Sequence, residues 1–153
     1  MMMIARNTDY GDVLDAVKGK KVSIWTCNTC AKLCNGIGGQ EAADRLAERL
    51  RSDGITVSSS VSVSAACMMS KVRPKAAEVS KDADVIISLT CDIGVICASD
   101  AFEKEVLAPL VTLGYGFADC DGSPMIILGP DVPVPATLEE VAKGRGMTAA
   151  PLV

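Results

Sequence analysis

Three cysteines fall within eight residues, Cys27-Asn28-Thr29-Cys30-Ala31-Lys32-Leu33-Cys34, a C-x2-C-x3-C run. A C-x2-C turn sets two sulfurs on one side, and a third cysteine four residues on wraps the loop around something larger than one ion. Four further cysteines stand at 67, 91, 97 and 120, and the chain contains no histidine. That absence removes Ser-His-Asp and Cys-His catalytic pairs, an imidazole base and every mixed Cys/His metal site. Three chemistries remain for the thiols: an iron–sulfur cluster, a structural zinc ion held by four thiolates, or a redox dithiol of Cys27 and Cys30. The last fits least, because a thioredoxin-type pair opens a helix, and here Cys34 and three glycines interrupt its start. Cysteine as a small buried hydrophobe suits Cys97 and Cys120 better than it suits the clustered run.

Which thiols can meet depends on the elements that carry them. Lys21–Thr26 reads as a short strand ending at Cys27. Residues 55–63 alternate, with Ile55, Val57, Val61 and Val63 on one face and Thr56, Ser58, Ser60 and Ser62 on the other. That pattern predicts a strand with one wet face, near a sheet edge, ending just before Cys67. DVIISLT, residues 84–90, predicts a strand buried on both faces and ending at Cys91. Helical spacing is visible over 9–19, over 40–53 (Ala43, Leu46, Ala47 and Leu50, closed by Gly54), over 70–80 with Pro74 in the first turn, and over 100–110. MIIL at 125–128 reads as the last buried strand.

Strands alternating with helices predict an α/β three-layer sandwich on a four-stranded, mostly parallel sheet of Rossmann- or flavodoxin-like type. Parallel strands share one carboxyl edge, and ligands bind there. Cys27, Cys67, Cys91 and the loop holding Cys30 and Cys34 are therefore expected at one rim. The predicted site is a [4Fe–4S] cluster on Cys27, Cys30 and Cys34, with Cys91 or Cys67 as the fourth ligand; zinc is the alternative occupant. Asn35-Gly36-Ile37-Gly38-Gly39 is expected to aim N–H groups at sulfur, and Lys32, Lys71 and Arg73 either offset its charge or are ordinary solvated cations. Gly36-x-Gly38-Gly39 is only part of a dinucleotide-binding turn, since Glu41 replaces its third glycine. Met68 and Met69 read as core, and Asp92 as the cap of a helix.

The chain's 153 residues suffice for one domain, and 49% hydrophobic with 3% aromatic residues calls for an aliphatic core. A net charge of −4 gives no basic excess, so neither nucleic acid nor an anionic membrane is an expected partner. An odd cysteine count, and no apolar leader in MMMIARNTDY, predict reduced thiols in the cytoplasm rather than a secreted disulfide scaffold. After Gly129 come Pro130, Pro133, Pro135 and Pro151. The expected division is a cysteine-rich α/β metal-binding domain over 1–128 and a Pro-rich arm over 129–153, with one short helix around 137–143.

In their order, a strand running into TCNTCAKLCNGIGG, then AACMMSKVR, then DVIISLTCDIGV, these segments resemble the MetV-type small subunit of bacterial methylenetetrahydrofolate reductase. The same unit occurs as the cysteine-rich C-terminal domain of some such reductases. The likeness spans residues 10–115, and its first motif is the most specific. It implies metal-binding roles for Cys27, Cys30, Cys34, Cys67 and Cys91. It also implies an iron–sulfur subunit of one-carbon metabolism, without turnover alone, that exchanges electrons with a flavoprotein reductase partner. Asp92 stands where that family has Gly, and Cys97 where it has a polar residue.

Overall fold

A computed structural model describes residues 2–146, with side chains from Thr8 onward. In chain order the elements are β1 (Met2–Asn7), α1 (Tyr10–Val17), β2 (Lys21–Cys27), α2 (Cys30–Leu33), α3 (Gln40–Ser52), β3 (Thr56–Val63), α4 (Met69–Ala76), β4 (Val85–Leu89) and α5 (Asp92–Ala101). There follow β5 (Glu105–Leu107), β6 (Leu110–Ala118), β7 (Pro124–Leu128), β8 (Ala136–Thr137) and α6 (Leu138–Gly144).

β3, β2, β4 and β5 form, in that spatial order, a four-stranded sheet that is parallel throughout. Helices flank it, so the fold is an α/β sandwich. The central strands β2 and β4 are buried on both faces: β4 is nearly all apolar, and the Ser23 and Thr26 hydroxyls of β2 are hydrogen-bonded to Ser59 Oγ and to the Leu89 carbonyl. β3 lies at the edge with Val57, Val61 and Val63 buried, which accounts for its serine-rich second face. The chain moves outward from β2 to β3, then returns past β2 to reach β4. With the right-handed crossovers that parallel strands adopt, α3 covers one face, and α4 and α5 pack together on the other. The direction of winding reverses between β2 and β4, and the crevice at their carboxyl ends is the natural ligand position.

The core is aliphatic around a single tryptophan. Trp25 is fully buried on β2 and meets the Phe102 ring edge-on, centroids 5.3 Å apart. Its Nε1 has no hydrogen-bond partner among the described residues, a cost of about 1–3 kcal/mol. Burying roughly 200 Å² of ring at about 25 cal/mol per Å² returns about 5 kcal/mol, so packing wins. α3 buries the predicted stripe of Ala43, Leu46, Ala47 and Leu50. Beside it, the Tyr10 hydroxyl of α1 donates to Asp53 Oδ2 (2.6 Å), while the Arg49 guanidinium lies 4.7 Å from the Tyr10 ring centroid. Among the described residues, no helix is long and apolar enough to cross a membrane.

Four expectations need correction. The fourth parallel strand is β5, three residues at the sheet edge, and not Met125–Leu128. The helix expected over 100–110 lies earlier, at Asp92–Ala101, because the chain turns into it directly at the end of β4 despite the poor helix formers Gly94, Val95 and Ile96. Pro74 sits sixth in α4, beyond the first turn. It has no N–H to offer the carbonyl of Ser70, and the helix ends two residues later, at Ala76. Met125–Leu128 is β7 of a second, antiparallel sheet, ordered β1-β6-β7-β8. Nor is the run buried as expected: only Ile126 is, while Ile127 and Leu128 are exposed, so the apolar run specified a strand but neither its sheet nor its burial. β6 was hidden by Gly114 and Gly116, which look like loop residues. A Cβ on Gly116 would collide with the Met125 carbonyl, so these glycines are what lets β6 and β7 pair.

The predicted short helix is α6, whose Leu138, Val141 and Ala142 are buried. Residues 136–144 are thus built onto the antiparallel sheet, while 147–153, with Pro151, lie outside the described residues. A capping box starts α6: Thr137 Oγ1 accepts from the Glu140 N–H (3.2 Å), and the Glu140 carboxylate accepts from the Thr137 N–H (2.8 Å). Thr137→Ala is expected to lower stability by about 1 kcal/mol, read as a shifted denaturant midpoint at unchanged slope.

Candidate metal centre

At the crevice between β2 and β4 lies a cavity of about 340 Å³. Cys27, Cys30, Cys67 and Cys91 all line it, together with Thr29, Ala31, Ala65, Ala66, Ile93 and Tyr115. Each thiol arrives on a different carboxyl-edge feature. Cys27 is the last residue of β2, Cys30 opens α2, Cys67 follows β3, and Cys91 is the N-cap of α5 just past β4. The two outer loops are tied together, since the Asn28 N–H donates to the Val63 carbonyl (2.9 Å) and the Thr29 hydroxyl donates to the Ser64 carbonyl. Thr26 joins the glycine loop to the sheet: its Oγ1 accepts from the Gly39 N–H (2.8 Å) and donates to the Leu89 carbonyl (3.2 Å).

Cys34 stands apart. It is fully buried in the core and does not line the cavity. The Cys34 N–H still donates to the Cys30 carbonyl (3.1 Å) and closes the turn of α2, but Cys30 lines the cavity while Cys34 lies among the core side chains; after Cys34 (ψ 75°, then Asn35 at φ 54°) the chain leaves the helix. The structure therefore gathers four of the five predicted ligands, taking both Cys67 and Cys91 and leaving out Cys34.

Cys91 has the most developed surroundings. Burial pushes its thiol above the ordinary value, with the neighbouring Cys30 and Cys27 adding to the shift. The N–H groups of Gly94 and Ile93, from the first turn of α5, donate to its sulfur and act the other way. These donors replace the ones expected from the glycine run. There the N–H groups of Gly36, Gly38 and Gly39 are spent on the Lys32 carbonyl, the Ala31 carbonyl and Thr26 Oγ1. Cys97 is half-buried beside Cys67; burial raises its thiol, with Cys67 and Asp100 contributing. Cys120 is exposed in the β6–β7 turn and not buried as expected.

None of the three candidate cations lines the cavity. Lys32 packs its stem over Gly39, Arg73 pairs with Asp100 at 2.7 Å, and Lys71 is exposed beside Asn28 and Ser62. Asp92 is the first residue of α5 rather than its cap, and its N–H donates to Thr112 Oγ1 (3.1 Å). Met68, expected in the core, is half exposed at 49%; with Ile93, Ile96 and Tyr115 it belongs to the exposed apolar side chains near the thiols. Tyr115 is the lining residue that sequence reasoning missed, and its one signal was the scarcity of aromatic residues, two Tyr in the whole chain.

Among the described residues, no three Cys, Asp or Glu side chains are gathered closely enough to hold a single ion. What the four thiols share is the wall of a cavity. No family model, curated protein or solved structure matches the chain, so its likeness to the MetV-type subunit rests on the motifs quoted above.

Proposed function

We propose that this chain is an iron–sulfur electron-transfer subunit of an oxidoreductase of the methylenetetrahydrofolate reductase type, exchanging electrons with a flavoprotein partner in the cytoplasm. One observation carries the reading: four thiols from four carboxyl-edge features line one cavity in the crevice of a parallel sheet. The residues fit a cluster in donor type and in space, since soft thiolates are iron–sulfur ligands and the cavity is larger than a lone ion fills. They fit a single tetrahedral zinc less well, because such an ion draws its sulfurs to roughly 4 Å from one another. Cys27, Cys30, Cys67 and Cys91 would hold the group, which supplies one-electron transfer when bound. The protein's own part is to lose the thiol protons, to direct the Ile93 and Gly94 N–H groups at Cys91 and to line the site with the apolar Ala31, Ala65 and Ala66; of the four thiols, Cys67 is the exposed one.

Anaerobic purification with metal and sulfide analysis tests this. The expected result is a brown protein with about four irons and four sulfides per chain. One zinc in a colourless protein, or a metal-free protein with a reducible Cys27–Cys30 disulfide, would overturn it. Co-purification of a flavoprotein tests the partner.

A further inference from the structure

The thiols all come from the parallel sheet, yet one wall of their cavity does not. Tyr115 belongs to β6 of the antiparallel sheet and, among the described residues, is the only one of that sheet in the lining. Its position follows from an irregularity in β6. Opposite β1, Ile4 pairs with Gly114 and the next residue, Ala5, pairs with Thr112, so Leu113 is an extra residue. Residues 112 and 115 differ by three and would face opposite sides of a regular strand; one bulged residue between them puts both on the same face. Both do reach the parallel half: Thr112 Oγ1 accepts the Asp92 N–H at the start of α5, and Tyr115 lines the cavity beside Ile93. Thr112 thus fastens β6 to the helix that carries Cys91, and Tyr115 lines the thiol cavity while remaining 40% exposed.

We infer that the antiparallel sheet is the lid of the thiol cavity, with Tyr115 as the closing side chain and Thr112 as the positioning residue that holds it there. The inference rests on the proposed function for what the lid protects, a cluster, but the lid itself is read from the bulge and the cavity lining. A ring over the thiols limits entry of water and oxygen and keeps the local dielectric low, which governs both the lifetime and the potential of a bound cluster. Removing the ring lets water stabilise the more highly charged reduced state, so the potential rises.

The test compares the full-length wild type with Tyr115→Phe, Tyr115→Ala and Thr112→Val. In cluster-loaded protein exposed to air, Tyr115→Ala is expected to lose its visible absorption several-fold faster and to show a more positive midpoint potential. Tyr115→Phe keeps the ring and behaves as wild type, and Thr112→Val moves in the direction of the alanine variant by less. In chelator-treated, metal-free protein, alkylation of Cys27 and Cys91 by a bulky maleimide, located by peptide mass, follows the same order. Equal decay and equal alkylation in wild type and Tyr115→Ala overturn the lid. A wild type that never binds iron overturns the proposed function instead, and the alkylation arm still decides whether the lid exists.

Discussion

Cys91→Ser is expected to abolish the proposed iron binding with the fold intact, while Cys34→Ala is expected to keep the iron and lose stability. The two cysteines are similarly hidden, 7% and 0% exposed, so burial alone does not separate them. What separates them is the cavity, which Cys91 lines and Cys34 does not. Serine at 91 is a clean variant. The position is the N-cap of α5 with extended backbone (φ −67°, ψ 171°), and serine is among the residues preferred there. The helix is kept, and the change removes one of the four thiols proposed to hold iron, replacing it with a hydroxyl that stays protonated at neutral pH. Cys30→Ser and Cys67→Ser are expected to act alike on metal content. At Cys34 the deleted sulfur leaves a small void in a close-packed core, at a cost of about 1 kcal/mol. Metal analysis and denaturant midpoints on the same preparations check both halves. An iron-free Cys34→Ala beside an iron-loaded Cys67→Ser would return the ligand set to the C-x2-C-x3-C run and remove the cavity from the argument.

That contrast marks where the sequence stops being legible. The parallel sheet could be read because its strands carry their burial in their composition: VIISL has no polar face to expose, and β3 advertises an edge with its serines. Strand ends followed, and with them the convergence of Cys27, Cys67 and Cys91. Cys34 could not be read in the same way. Its spacing fixes its distance along the chain from Cys30, but which of the two meets the cavity and which the core is decided by how the turn of α2 packs against the sheet, and spacing does not carry that. The antiparallel sheet was hidden for three separate reasons. β1 (MMIARN) runs from apolar to polar without alternating, β6 hides a strand behind two glycines that exist for close backbone approach, and β7 has the same apolar signature as a parallel strand. Tyr115 was lost with that sheet. Its place over the thiols depends on a one-residue bulge, which no periodicity in the sequence reveals.

Gly94→Ala is expected to destabilise the protein by about 1–3 kcal/mol and to lower its iron content, although alanine is the better helix former. Gly94 is the third residue of α5, and a Cβ there would stand 2.6 Å from Thr90 Cβ, 2.7 Å from Thr90 Oγ1 and 3.1 Å from Ala66 Cβ. Thr90 is not free to give way, since its hydroxyl is engaged with Ser88 Oγ (2.8 Å) and the Cys91 carbonyl (3.2 Å). Relief must come from moving the start of α5, which carries Cys91, or the loop of Ala66, which carries Cys67. Either movement pulls one thiol away from Cys27 and Cys30. The propensity gain of up to about 1 kcal/mol does not offset this overpacking. Gly11 provides the opposite case: it lies in α1, and a methyl group added there would meet nothing within 4 Å, so Gly11→Ala gains stability through the same change of residue. Thermal midpoints of the two variants are expected to move in opposite directions, with iron lost only from Gly94→Ala. A stabilised, fully loaded Gly94→Ala would mean that α5 does not press on the Ala66 loop, and that Cys67 and Cys91 are not held together as described.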